Sequence, residues 1–250
     1  MKKAIRLDRI LSHMGFGTRS EVKKVIRQKR VAIDGKITNV INTAVVVEEQ
    51  TIAVDGVEVY YQEFFYFIMN KSQGVISATK DNLHQTVIDL LSPEDRKKDV
   101  YPVGRLDIDT EGLLLLTNDG KLTHELLSPK KHVPKVYYAK VEGEVTKEDV
   151  EVLAEGVTLE DDYVCMPACL HIISAGEISE IELTINEGKF HQVKRMMEAV
   201  GKRVIYLQRI GMGNLKLPAD LELGEYREAT KEEMAFIKMD DKQDMKREIQ

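Results

Sequence analysis

Near the amino terminus, apolar residues recur at helical spacing. Leu7, Ile10 and Leu11 share one face, Gly15 and Gly17 break the pattern, and Thr18 or Ser20 can cap a second helix carrying Val22, Val25 and Ile26. The period then drops to two in "RVAIDGKIT", with an Asp-Gly turn, so two short helices lead into small strands that end near "IAVDGVEV". Residues 61–69, "YQEFFYFIM", read as an aromatic strand opening a larger domain, and "TVIDLLSPEDRKK" as a short helix running into a charged loop. "GLLLLTNDG" is a continuous apolar run ending in a turn signal, the pattern of a buried strand. "KVYYAKVEGEV" alternates as a strand, and "TKEDVEVLAEGV" predicts a helix behind a Thr cap. "ISEIELTINEG" is a further strand, and "FHQVKRMMEAVG" a helix closed by Gly201. Strands and helices intermix without a βαβ rhythm, which predicts an α+β fold. The expected division is a small module over 1–60, a larger domain over 61–239 and a polar tail over 240–250, too poor in apolar residues to pack.

Charge sharpens this division. The whole chain of 250 residues carries −6, but residues 1–36 hold eleven Lys/Arg against three Asp/Glu, a net +8, which leaves −14 for the rest. A basic module on an acidic body suits a polyanionic partner, nucleic acid first. Six cations, Arg19, Lys23, Lys24, Arg27, Lys29 and Arg30, stand in twelve residues with Glu21 alone opposing them. Such a run is ordinarily a solvated helix face; its density here favours RNA or DNA contact, with Arg6 and Arg9 as neighbouring candidates. Cys165 and Cys169 lack the further ligands of a structural zinc site and the spacing of a redox pair, so reduced thiols and no metal are expected. The basic start is interrupted by Asp8 before any signal-length apolar stretch, and no run approaches membrane-spanning length; a cytoplasmic location is expected.

The densest chemistry lies in "GRLDIDTEGLLLLTNDG", residues 104–120, where Asp107, Asp109 and Glu111 stand directly before four leucines. The plainest reading is a polar loop capping a core strand. "DIDTEG" also opens like a calcium loop, but position twelve falls on Asn118 where a bidentate Glu is needed. A phosphoryl-transfer aspartate would need a phosphate cradle or a second acidic cluster, and the chain shows no such motif. The remaining reading is one carboxylate acting on RNA. If "GRLD" is extended, Arg105 and Asp107 project from the same side, and an arginine beside a carboxylate favours its charged form.

On these residues the chain resembles known families. "RLDRILSHMGFGTRSEVKKVIRQKRVAIDGK" resembles the αL RNA-binding module of the ribosomal-protein S-four type, with Thr18-Arg19 where Ser-Arg is usual. "YPVGRLDIDTEGLLLLTNDG", "KVYYAKVEG" and "NEGKFHQVKRMMEAVG" resemble, in order, the motifs of RNA pseudouridine synthases. The likeness runs to about Thr230, and "SPKKHVPKVYYAKVEG" is most similar to the group acting on small-subunit (16S) ribosomal RNA. One departure is "NKSQGVISAT", where Ser72 stands at a frequent proline.

The resemblance implies a mainly antiparallel mixed sheet with flanking helices in the larger domain, and conversion of a uridine to pseudouridine. That reaction breaks the N-glycosidic bond, turns the uracil and rejoins it through carbon 5. As an isomerisation it needs no cofactor. The nucleotide must leave its stack at a cost of a few kcal/mol, offset by phosphate contacts and aromatic stacking. By resemblance Asp107 is the catalytic carboxylate, Tyr137 packs on the flipped base, Lys194 pairs with Asp107, and Arg105 enters the space the base leaves. Without the motifs, Tyr137 would read as a core tyrosine, Lys194 as surface charge and Arg105 as an ion-pair partner of Asp107. Lys194 also offers a point charge where an arginine would offer a fork. Lys189 and His191 are candidates for RNA phosphate or the loop, and Asp109 and Glu111 for structural acids. The expected partner is ribosomal RNA, 16S before 23S or transfer RNA, bound by a monomer. The rival of another class is a non-catalytic RNA-binding assembly factor.

Overall fold

The structure is a computed structural model that describes residues 4–238; the tail over 240–250 lies outside the described residues. The chain divides into two compact units. The first holds the chain up to Phe65 together with Leu91–Val100, and the second holds Tyr66–Leu90 and the chain from Tyr101 onward.

In the first unit β1 (Ala4–Arg6) runs into α1 (Leu7–His13), followed by α2 (Arg19–Arg27). Thr18 caps α2: its Oγ1 accepts from the Glu21 N–H, and Glu21 Oε2 accepts from the Thr18 N–H at 2.8 Å. Strands β2 (Val31–Ile33), β3 (Lys36–Thr38), β4 (Ala44–Val46), β5 (Ile52–Val54) and β6 (Val57–Glu58) complete the unit. The sheet order is β3-β2-β5-β6, and β1 pairs separately with β4. Asp34-Gly35 and Asp55-Gly56, all at positive φ, close the two hairpins, as right-twisted strands require. Leu7, Ile10, Leu11, Val22 and Ile26 pack with Val31, Val45 and Ile52 into one core, so the predicted apolar faces are the buried ones.

The two compact units part after Phe65. Phe65 is buried within the first unit, its ring 5.4 Å from that of His13 and beneath the Lys98 ammonium. The strand read from residue 61 therefore begins only at Tyr66. "TVIDLL" is also a turn and not a helix. Thr86 and Asp89 bond each other's backbone N–H, which closes one turn, and Pro93 blocks continuation.

The second unit is built on one mixed sheet. Its strands are β7 (Tyr66–Lys71), β8 (Tyr101–Pro102), β9 (Glu111–Thr117), β10 (Lys135–Glu142), β11 (Cys169–Ser174), β12 (Ile178–Ile185), β13 (Arg203–Met212), β14 (Leu215–Lys216) and β15 (Tyr226–Glu228). The order is β11-β12-β10-β13-β9-β7-β15, with β14 on β13 and β8 on β9; every pairing is antiparallel except β9 with β13. All seven residues of β9 are buried, so its leucines meet core on both sides of the sheet, which explains an unalternating run.

Helices α3 (Gly120–Leu127), α4 (Lys147–Glu155), α5 (Gln192–Ala199) and α6 (Lys231–Lys238) flank the sheet. "NDG", read as a turn, is the start of α3. Asp119 accepts from the Lys121 and Leu122 N–H groups and also receives the Tyr66 hydroxyl. Gly201, at φ 72, ends α5 by donating to the Glu198 carbonyl.

Candidate active site

The parallel β9/β13 pairing sets the site. Gly112, at φ +100, lies so close to β13 that a Cβ would stand 2.3 Å from the Arg209 carbonyl oxygen. Only glycine allows this approach. The loop entering β9 is thereby held at the middle of the sheet, two strands from Tyr137 on β10.

That loop, residues 104–110, is tied down from beneath. The Thr110 N–H donates to the Asp107 carbonyl at 3.1 Å, closing a tight turn. Ser77 Oγ both accepts from the Leu106 N–H and donates to its carbonyl, and the Gly74 N–H donates to the Ile108 carbonyl. Lys71, fully buried at the end of β7, donates to the carbonyls of Ser72, Asp107 and Thr110 at 3.0, 3.0 and 2.9 Å. Burial lowers its ammonium from 10.5 to about 8, with the charges of Asp107, Asp109 and Glu111 acting the other way. Sequence reasoning missed Lys71. Its signal was a lysine closing the otherwise apolar strand "YFIMNK".

Asp107 is half-buried and lies between two groups of the α5 segment, with His191 Nε2 3.6 Å from Oδ1 and Lys194 Nζ 3.9 Å from Oδ2. The expected Lys194–Asp107 pair is made at ion-pair range, without a hydrogen bond. Lys194 hydrogen-bonds both oxygens of Asp109, at 2.7 and 2.8 Å, because the turn closed at Thr110 brings Asp109 back towards α5. Burial opposes the ionisation of Asp109, but the Lys194 hydrogen bond and charge outweigh it and hold the carboxyl below its ordinary range. Glu111, in β9, accepts the Tyr206 hydroxyl at 2.6 Å; burial, then this carboxylate, push the phenol well above its usual value.

Arg105, Asp107, Tyr137, Lys189 and His191 line one cavity of about 80 Å³, whose apolar walls include Leu106, Ile185 and Leu207. Tyr137 is 9% exposed, and Tyr138, facing the other way, meets the Tyr206 ring edge-on. Arg105 is exposed and forms no ion pair with Asp107 among the described residues. His191 adopts a left-handed backbone, φ 49, and its ring stacks at 3.7 Å on Phe190, which is 74% exposed at the edge of a wider groove. The sequence singled out His191 but not Phe190.

In the first unit, Arg9, Arg19, Lys24, Arg27 and Lys29 are exposed without an ion pair among the described residues, and Lys23 is half-buried. Two candidates are spoken for. Arg6 pairs with Asp8, and Arg30 makes a forked contact with Asp55. No helix among the described residues is long and apolar enough to cross a membrane.

A carboxylate beside a lysine and a histidine lines one small, apolar-walled cavity with a buried tyrosine, on a chain that also carries a basic two-helix module, an arrangement that suits an enzyme acting on RNA. The comparisons specify which. Residues 65–199 match the family model of RNA pseudouridylate synthase, and residues 5–51 match the S4 domain. The chain is 49% identical over 234 residues to the uncharacterized RNA pseudouridine synthase YtzG of Bacillus subtilis, covering 93% of this chain and 98% of that one. It is 39% identical over 236 residues to the ribosomal small subunit pseudouridine synthase A of Escherichia coli, covering 93% and 100%. To the ribosomal large subunit pseudouridine synthase B of Bacillus subtilis it is 38% identical over 236 residues, covering 93% and 95%. A crystal structure of a pseudouridylate synthase, 34% identical, superposes with a TM-score of 0.65 over 93% of this chain and 99% of its own. The chain belongs to the RNA pseudouridine synthase family and carries an S4 RNA-binding domain in front of its catalytic domain.

Proposed function

We propose that this enzyme isomerises a specific uridine of small-subunit (16S) ribosomal RNA, with Asp107 as the catalytic carboxylate acting on a flipped-out nucleotide. The observation that carries the assignment is the convergence of Asp107, Tyr137 and Arg105 on one cavity, with Lys194 and His191 against the carboxylate. Attack on the sugar or the base, or removal of a sugar proton, would each begin from an ionised Asp107. Tyr137 and the walls of Ile185 and Leu207 suit an uncharged planar base. Lys194 acts on Asp107 as a near charge and holds the turn through Asp109. Arg105, exposed and without an ion pair among the described residues, would enter the stack as the base leaves it.

The small-subunit substrate is favoured by the likeness of "SPKKHVPKVYYAKVEG" to that group's motif, while the identities to synthase A and to large-subunit synthase B barely differ. The enzyme is read as a cytoplasmic monomer whose S4 domain holds the RNA backbone. Mapping pseudouridines in total RNA with and without the gene tests the substrate. Loss of one 16S site is expected; loss of a 23S or transfer-RNA site would reassign the substrate, and no loss would favour a binding factor. Asp107→Asn should abolish conversion of the mapped uridine while RNA affinity stays within threefold. Near-normal turnover by that variant would overturn the catalytic assignment.

A further inference from the structure

A second cavity, of about 360 Å³, adjoins the first and shares Arg105, Tyr137 and Lys189 with it. Four cations line it, Arg105, Lys135, Lys189 and Arg209, together with His132 and a single carboxylate, Glu187. The strands place the inner pair. Arg209 on β13 is the cross-strand partner of Tyr137 on β10, and Lys135 lies two residues before Tyr137, so all three share one face of the sheet.

Neither inner cation makes an ion pair among the described residues. Arg209 is 3% exposed; its Nε donates to the Leu113 carbonyl at 2.8 Å, while its buried Nη2 has no partner among the described residues. Lys135 is half-buried and makes no ion pair among the described residues; burial and the neighbouring Arg209 lower its ammonium, and Glu187 offsets only part of that. Glu187 is already engaged, accepting from the Tyr163 hydroxyl, the Met166 N–H and Gln192 Nε2. A buried guanidinium N–H left unbonded beside a second cation is costly, and a phosphate oxygen would satisfy both. Tyr137, Arg105 and Lys189 line both this cavity and the Asp107 cavity, so the two sites are neighbours.

We propose that this cavity is a phosphodiester subsite, in which Lys135 and Arg209 hold a backbone phosphate adjoining the uridine whose base enters the Asp107 cavity. The inference rests on the reading of that cavity as the uridine site. Fixing one flanking phosphate makes the nucleotide turn about a held point, and the charge-assisted bonds offset part of the cost of unstacking.

The test uses the full chain and a synthetic RNA spanning the mapped uridine, in which each phosphodiester within two nucleotides of it is replaced in turn by an uncharged methylphosphonate. Binding is measured in the Asp107→Asn background with and without Lys135→Gln. One replacement should weaken binding about tenfold with Lys135 present and only about threefold with Lys135→Gln, because the Lys135 share of the loss is already gone while that of Arg209 remains. Equal losses in both proteins would overturn the proposal. So would a walk in which no methylphosphonate costs the Lys135 protein more than threefold, a result that needs no Lys135 variant to fold. A large effect of removing a base carbonyl in place of a phosphate charge would assign the cavity to a base and equally overturn it. Turnover by Asp107→Asn would instead break the catalytic reading, which the binding walk does not measure.

Discussion

Replacing Lys71 with methionine should silence the enzyme while leaving its fold nearly as stable as before. Lys71 is fully buried and reaches three carbonyls, but the losses are unequal. The Asp107 carbonyl keeps the Thr110 N–H, and Ser72 is only half-buried, so water replaces the lost donor there. Thr110, 1% exposed, is left with an orphaned acceptor worth about 1–3 kcal/mol. Against this stands relief of the burial penalty on the ammonium: a fall from 10.5 to about 8 corresponds to roughly 3 kcal/mol. The two nearly cancel, and the expected stability change is within about 2 kcal/mol of zero. The turn bearing Asp107 and Asp109, however, loses its clamp. A displacement of about 1 Å at a reacting group costs roughly 100-fold in rate, so kcat should fall by about that factor with RNA affinity little changed. Release of tritium from RNA labelled at uracil carbon 5 reads the chemistry, since that hydrogen leaves when the new bond forms.

The same lysine makes stability and activity move in opposite directions with pH. Its folded value lies below its unfolded one, so between about pH 8 and 10.5 the unfolded chain holds a proton that the folded chain has given up, and this group's contribution to stability rises with pH. A neutral amine has two N–H groups for three carbonyls, so kcat should decline above about pH 8. A Lys71→Met enzyme within threefold of the parent in kcat, or an alkaline limb unchanged by that substitution, would refute the reasoning.

Gly112→Ala should lower the melting temperature by several degrees and reduce soluble yield, since its Cβ collides with β13 backbone at 2.3 Å; an unshifted melt would mean that β9 and β13 pair less closely. Phe190→Ala should leave the melt unchanged, the ring being 74% exposed, yet weaken RNA binding by about 1–3 kcal/mol if it stacks on a base; equal affinities would remove it from the interface. Changing Arg19, Lys24 and Arg27 together to Gln should reduce the slope of log affinity against log salt by about 2–3, as loss of up to three phosphate contacts requires. An unaltered slope would take α2 off the RNA. These substitutions are preferable to cutting the chain at residue 60, because the first unit also contains Leu91–Val100.

Local information was enough for much of the fold. The helical spacing of Leu7, Ile10 and Leu11, the Thr18 cap, the Asp-Gly turn of "RVAIDGKIT" and the alternation of "KVYYAKVEG" each act within a few residues of chain, and the structure shows each of them formed. The unpredicted parts answered to partners remote in sequence. Tyr66 begins its strand late because Phe65 is buried in the first unit against His13 and Lys98, and Thr86–Asp89 closes on itself where apolar spacing suggested a helix.

The site divides along the same line. The likeness of short continuous motifs to a known family marked Asp107, Tyr137 and Arg105, because the proposed catalytic carboxylate and its neighbours stand within those motifs. Tertiary structure alone decided that Lys194 bonds Asp109 more closely than Asp107, that His191 stands against the carboxylate, and that Lys71 grips the loop from beneath. It also set Arg209 beside Tyr137, a pairing made across two strands some seventy residues apart in the chain. Distances of a few ångströms between charges govern that chemistry, and they come from how strands register and where a turn closes, which no stretch of sequence contains.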